Sequence, residues 1–169
     1  MTDNADLVFR PSKIISGGQT GVDRGALLAA IELGVPHGGW CPRGRRADDG
    51  VIPPDFNLRE LASAEYPPRT RQNIIESDAT LILYRSPMGV GTRLTKRILR
   101  ELAKPTLSVR IDRTRSKIIR EIRSWLHEIQ PATLNVAGPR GSVYPSIEQD
   151  TRILLLDVWG EDAQPSLPL

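Results

Sequence analysis

The chain has 169 residues, 39% hydrophobic and 25% charged, which suits a single domain able to bury a real core. No apolar run approaches the ~18 residues of a membrane span, and a lone cysteine, Cys41, excludes an internal disulfide. A net charge of +3 and 5% aromatics argue against a nucleic-acid stacking platform, and the polar Met1–Asp6 is unlike a secretory signal, so the expected setting is cytoplasmic.

Residues 1–12 read as a flexible leader. Lys13–Ser16 is a short strand that runs into Gly17, Gly18 and Gly21. A helix follows over Val22–Leu33, with Ala26, Leu27, Ala30, Ile31 and Leu33 at helical spacing, and Gly34-Val35-Pro36 ends it. Strand, glycine turn and helix start aim backbone N–H groups at one point, which attracts anions and phosphate above all. The spacing matches neither the dinucleotide fingerprint nor the P-loop, and a tight turn that binds nothing is the plain alternative.

His37–Pro68 is a long irregular segment rich in Gly, Pro and charge, with one short strand expected near His37–Trp40. Within it, Trp40 has the ring to stack on a planar ligand and Arg43 the charge to clamp an anion; covering the core is the ordinary role of such a tryptophan. Asp48-Asp49 has the form of a carboxylate pair for acid–base chemistry, and a hydrated turn is the ordinary role of such a pair. Cys41 has His37 four residues away but no orienting acid, and the two histidines and one cysteine are too few and badly spaced for a zinc site.

Thr70–Glu76 is predicted helical, and Ala79–Tyr84 is the clearest strand, apolar on both faces as in a parallel sheet. A second glycine loop, Gly89-Val90-Gly91-Thr92, leads into a helix over Arg93–Ala103. Thr92 is either a helix cap or a phosphate ligand there. Pro105–Ile111 is a strand, Arg115–Ile129 a helix and Thr133–Ala137 a strand. A third glycine loop with Asn135, Gly138, Arg140 and Ser142 precedes the last helix, Pro145–Val158, and residues 159–169 read as a tail. The alternation of strand and helix implies a single domain of α/β class over 13–158, an open parallel sheet with helices on both faces. All three glycine loops follow strands directly, so they share one sheet edge, where such folds bind ligands.

Taken together, Ser16-Gly17-Gly18-Gln19-Thr20-Gly21-Val22-Asp23-Arg24, Gly38–Arg45, Arg69-Thr70-x-x-Asn73, Ser77–Ile82 and Leu134–Arg140 resemble the molybdenum-cofactor carrier family over nearly the whole chain. That resemblance implies a Rossmann-like fold shared with lysine decarboxylase-like proteins and cytokinin-activating phosphoribohydrolases. It also implies molybdenum cofactor as the ligand, a flat and anionic molecule, with no dedicated protein metal site. On this reading Gly17, Gly18, Gln19, Thr20 and Gly21 form one wall of the site. Trp40, Arg43, Arg69, Asn73, Gly89, Gly91, Thr92, Asn135 and Arg140 supply the rest. Where the phosphoribohydrolases carry acids, this chain has Leu94 and Thr95, which argues against that hydrolysis. Where the carrier pattern has glycine it has Val90, and where the pattern has an acid it has Arg71. A carrier or binding protein is therefore the first expectation. A nucleoside-monophosphate N-glycoside hydrolase and a nucleotide sensor are the alternatives, and self-association follows by analogy with related folds.

Overall fold

Five parallel strands make the central sheet, in the order β2-β1-β9-β7-β8. They are β1 (Lys13–Ile15), β2 (His37–Gly38), β7 (Ala79–Tyr84), β8 (Thr106–Arg110) and β9 (Thr133–Ala137). The computed structural model describes residues 8–160, so the first seven residues of the expected leader and 161–169 of the expected tail lie outside it. Helices α1 (Val22–Leu33), α4 (Arg115–Ile129) and α5 (Ile147–Trp159) pack on one face, and α2 (Tyr66–Glu76) and α3 (Val90–Glu101) on the other.

The split follows from residue periodicity. On β7, Leu81 and Leu83 point into the larger core with Val22, Ala26, Ile118, Ile122, Leu126 and Leu155, while Ile82 points the other way, to Ile74, Ile98 and Leu99. A strand buried on both faces reads as a continuous apolar run, and the first five residues of β7 are buried. On β9, Leu134 and Val136 join the larger core, whereas Asn135 faces the α2–α3 side and donates from Nδ2 to Thr80 Oγ1 at 3.2 Å.

Counted from β7 as strand one through β8, β9, β1 and β2, the sheet order becomes 2-1-3-4-5, a doubly wound order. The chain thus has the doubly wound topology with its ends moved. The two described ends are correspondingly neighbours: Trp159 Nε1 donates to Phe9 O at 3.1 Å, and Arg10 Nε donates to Trp159 O at 3.0 Å.

The segment expected to be irregular is a satellite unit. Beyond β2, it holds β3 (Trp40–Cys41) paired with β6 (Arg59–Glu60), and an antiparallel hairpin of β4 (Arg46–Ala47) and β5 (Gly50–Val51). Cys41, Ala47, Ile52, Phe56 and Leu58 bury themselves against Leu27 of α1. Two-residue strands have no period to read, which is why one strand rather than five was expected here. Helix α2 begins four residues earlier than predicted because Pro67 sits in its first turn, where a missing N–H costs nothing. Helix α3 begins at Val90 rather than Arg93, so Gly91 and Thr92 belong to its first turn.

Candidate functional site

Strand β7 is followed by α3 on one face, and β9 by α5 on the other. The two strands are neighbours, so their C-terminal ends diverge and leave a crevice at the switch point of the sheet. A cavity of about 470 Å³ opens there. Gly17, Gln19, Gly89, Gly91, Thr92, Asn135 and Arg140 line it, together with Tyr66, Arg69 and Asn73 from α2. The three glycine loops thus meet at one sheet edge. Positions 66, 69, 70 and 73 all line the cavity because they share one stripe of a helix. The walls are apolar at Pro87, Val90, Leu94, Val136, Val143 and Tyr144, with Val90 and Val143 strongly exposed.

The first glycine loop is occupied by the protein itself. Gly18 N donates to Ser16 Oγ (3.3 Å), Gln19 N to Asp23 Oδ2 (3.3 Å), Thr20 N to Gln19 Oε1 (3.0 Å), Gly21 N to Glu148 Oε2 (3.4 Å) and Val22 N to Pro139 O (3.1 Å). Asp23 fills the nest as an anion would. It also accepts from Arg69 Nη1 at 2.8 Å, in a pair whose side chains are only 9% and 10% exposed. Burial pushes the Asp23 carboxyl up from its ordinary value, and Arg69 and the N–H groups of Gln19 and Gly17 pull it part of the way back. The glycines serve packing. A Cβ on Gly17 would lie 1.8 Å from Arg69 Nη1, and Gly21, at φ +91°, has Pro139 O 2.4 Å from where its Cβ would be. Gly18 abuts Leu58, and the Thr20 hydroxyl accepts from Gly141 N at 3.2 Å; neither Gly18, Thr20 nor Gly21 lines the cavity.

The second loop is open. Among the described residues, the N–H groups of Val90, Gly91 and Thr92 have no acceptor, the Gly89 cap contributes no side chain, and the Thr92 hydroxyl has no partner. A Cβ on Gly89 or Gly91 would touch nothing within 4 Å. The positive end of a twelve-residue helix therefore faces the cavity with its donors free. Arg69 also lines the cavity, and its Nε–H is buried and without a partner among the described residues.

A third group of contacts crosses the mouth. Arg140 Nη1 donates to both oxygens of Asp48 (3.0 and 3.2 Å), and Ser142 Oγ donates to Asp48 Oδ2 (3.0 Å). The guanidinium groups of Arg46, Arg69 and Arg140 lie 4.9, 5.5 and 5.1 Å from the Tyr66 ring centroid, within cation–π range. Asp49 takes the buried Arg24, whose Nη2 donates at 2.8 Å. Asp48-Asp49 is an exposed turn, and both its carboxylates are ion-paired because arginines from two distant segments reach it.

Trp40 and Arg43 stand apart from the cavity. The Trp40 ring carries the Arg59 guanidinium 4.2 Å from its centroid, and Arg43 is exposed. Asn73 lines the cavity, but its amide is engaged with the Trp40 backbone, accepting from N at 2.8 Å and donating to O at 3.0 Å. Cys41 is buried and burial pushes its thiol up, away from nucleophilic chemistry. Leu94 and Thr95 line the cavity, and the Thr95 hydroxyl turns back onto Gly91 O at 3.1 Å. Asp23, Tyr66 and Asp48 stand outside the expected site residues. Asp23 lies inside the glycine motif and Asp48 in the acidic pair of the turn, while Tyr66 gives no local signal. Among the described residues no cluster of His, Cys, Asp or Glu could hold a metal ion, and no helix is long and apolar enough to cross a membrane.

A doubly wound parallel sheet with displaced chain ends and a cavity at its switch point defines an α/β domain of the Rossmann-like class. The model of the circularly permutated YpsA SLOG family matches residues 14–159, and the chain belongs to that family. Its structure is similar to a crystal structure at 1.45 Å of a "Putative molybdenum carrier protein" from Syntrophus aciditrophicus SB. The two share 39% identity over 89% of this chain and 95% of that one, with a TM-score of 0.85. A comparison with curated proteins finds no match.

Proposed function

We propose that the protein binds a phosphorylated planar ligand in this cavity and carries it without chemical change, molybdenum cofactor being the favoured candidate. The observation that supports the reading best is the α3 N-terminus, whose free N–H groups and Thr92 hydroxyl face the cavity. A phosphate is the group such a terminus takes. Arg69 lines the cavity, and the apolar walls suit a flat ring system. The similarity to a protein described as a molybdenum carrier favours the cofactor over other flat phosphorylated molecules.

Hydrolysis of an N-glycoside is the weaker reading. The carboxylate lining the cavity is Asp23, and it is held by Arg69 and two backbone N–H groups rather than presented to a substrate. Native mass spectrometry of gently purified protein tests the proposal, with molybdenum cofactor and a panel of nucleoside monophosphates added. The expected result is a retained or added adduct, weakened about tenfold or more by Gly91→Asp, which sets a carboxylate against the helix terminus. No adduct with any of these molecules sinks the reading, and release of free base from a monophosphate replaces it with the hydrolase.

A further inference from the structure

Asp48 sits in a cradle of donors built for an oxyanion. Its Oδ1 accepts from Arg140 Nη1 (3.0 Å), Gln19 Nε2 (3.3 Å) and Tyr66 Oη (3.4 Å), and its Oδ2 from Ser142 Oγ (3.0 Å). Four side chains from three separate parts of the chain converge on one carboxylate. Three of them, Gln19, Tyr66 and Arg140, also line the cavity, so the cradle is continuous with the proposed ligand site.

The two carboxylates that fill such cradles differ in how they are held. Asp23 is on α1, buried, and fixed by the helix that bears it. Asp48 is exposed, in the turn of the hairpin β4–β5, and each strand of that hairpin is two residues long. The side chains of Arg140 and Asp48 are 37% and 23% exposed, and an ion pair in that setting is held weakly against a competing anion. A phosphate or other dianion brings more charge and more acceptor oxygens to the same donors than a carboxylate does.

We propose that this cradle is a second anion subsite in which Asp48 stands in for a group of the ligand. The ligand class that follows bears two anionic groups, one at the α3 N-terminus and one at Arg140. Its second group displaces the Asp48 carboxylate, and the turn at Asp48-Asp49 loosens while Ala47 stays in the satellite core and Asp49 stays on Arg24. This inference deepens the phosphorylated-ligand reading and rests on it.

The test compares GMP with a guanosine bisphosphate that has one phosphate on each side of the ribose. Titration calorimetry is run on wild type, Asp48→Asn and Arg140→Ala, and hydrogen exchange follows residues 46–51. The bisphosphate is expected to bind wild type more tightly than GMP. Asp48→Asn should tighten the bisphosphate about fivefold and leave GMP within about twofold, and Arg140→Ala should erase the preference. Exchange at 46–51 should rise on saturation with the bisphosphate alone. Equal effects of Asp48→Asn on both ligands, or unchanged exchange at saturation, overturn the second subsite and leave the carrier reading standing. Failure of both nucleotides to bind overturns the inference too, and the cofactor mass spectrum then decides whether the underlying reading falls with it.

Discussion

The two glycine loops at the front of the cavity look alike in sequence and behave as opposites. Each leaves a strand, passes through glycines and opens a helix. In Ser16–Asp23 every N–H from Gly18 to Val22 has an acceptor inside the protein. In Gly89–Thr92 the N–H groups of the first helical turn have none among the described residues. The difference comes from internal acceptors. The carboxylates of Asp23 and Glu148 reach the first loop together with Ser16 Oγ, Gln19 Oε1 and Pro139 O, and among the described residues no acceptor reaches the second. A glycine-rich strand–helix junction therefore defines an anion-binding shape, and the presence or absence of an internal anion decides whether a ligand can use it.

Removing the internal anion should break the comparison most strongly. Asp23→Ala leaves Arg69 buried without its partner and strips the first loop of its acceptor, and is expected to cost about 3–5 kcal/mol in denaturant unfolding. A loss under about 1 kcal/mol would mean that the pair does not hold the loop together. Next in size is Gly21→Ala. It forces a Cβ toward Pro139 O at a φ of +91° and is expected to lower stability by about 3 kcal/mol, read the same way.

The corresponding change in the open loop should have the opposite sign. Gly91→Ala meets no atom within 4 Å and lies in a helix, so a gain of about 0.5–1 kcal/mol is expected in thermal or denaturant unfolding. A clear loss there would show that the second loop is packed as the first is. The smallest effect concerns the clasp on the hairpin. The hydrogen bond from Arg24 holds the Asp49 carboxyl below its ordinary range. Its contribution is therefore present above the unfolded carboxylate value of about 3.9 and lost as pH falls through the lower folded value. Asp49 is half exposed, so screening keeps that contribution under about 1 kcal/mol. Limited proteolysis within 46–51 should quicken as the pH is taken below about 4, and Asp49→Asn should remove that acid-dependent step.

Much of the fold is legible in the sequence, and the exceptions are instructive. Helices α1 and α4 and strands β7 and β9 have the predicted bounds, because long apolar periods and continuous apolar runs leave little choice of structure. Helices α2 and α3 start earlier than the sequence predicts because Pro67 and Gly91 lie in first turns that tolerate them. Gly17, Gln19, Gly89, Gly91, Thr92, Asn135 and Arg140 reach the cavity from loops after strands sharing one edge, and Arg69 and Asn73 reach it from α2. Trp40 lies elsewhere because Arg59 and Asn73 hold it to the satellite unit, a contact with no local pattern.

Local sequence determined the strands and helices of the sheet, its parallel sense and the edge at which ligands would meet it. Those depend on periodicity and on residues near one another in the chain. Which donors stayed free was decided only in three dimensions. The acceptor that closes Gly21 N comes from 127 residues away, and the arginine that clasps Asp48 from 92. Whether a polar group is satisfied depends on every acceptor the fold brings within about 3 Å of it, and that neighbourhood exists only once the chain has folded.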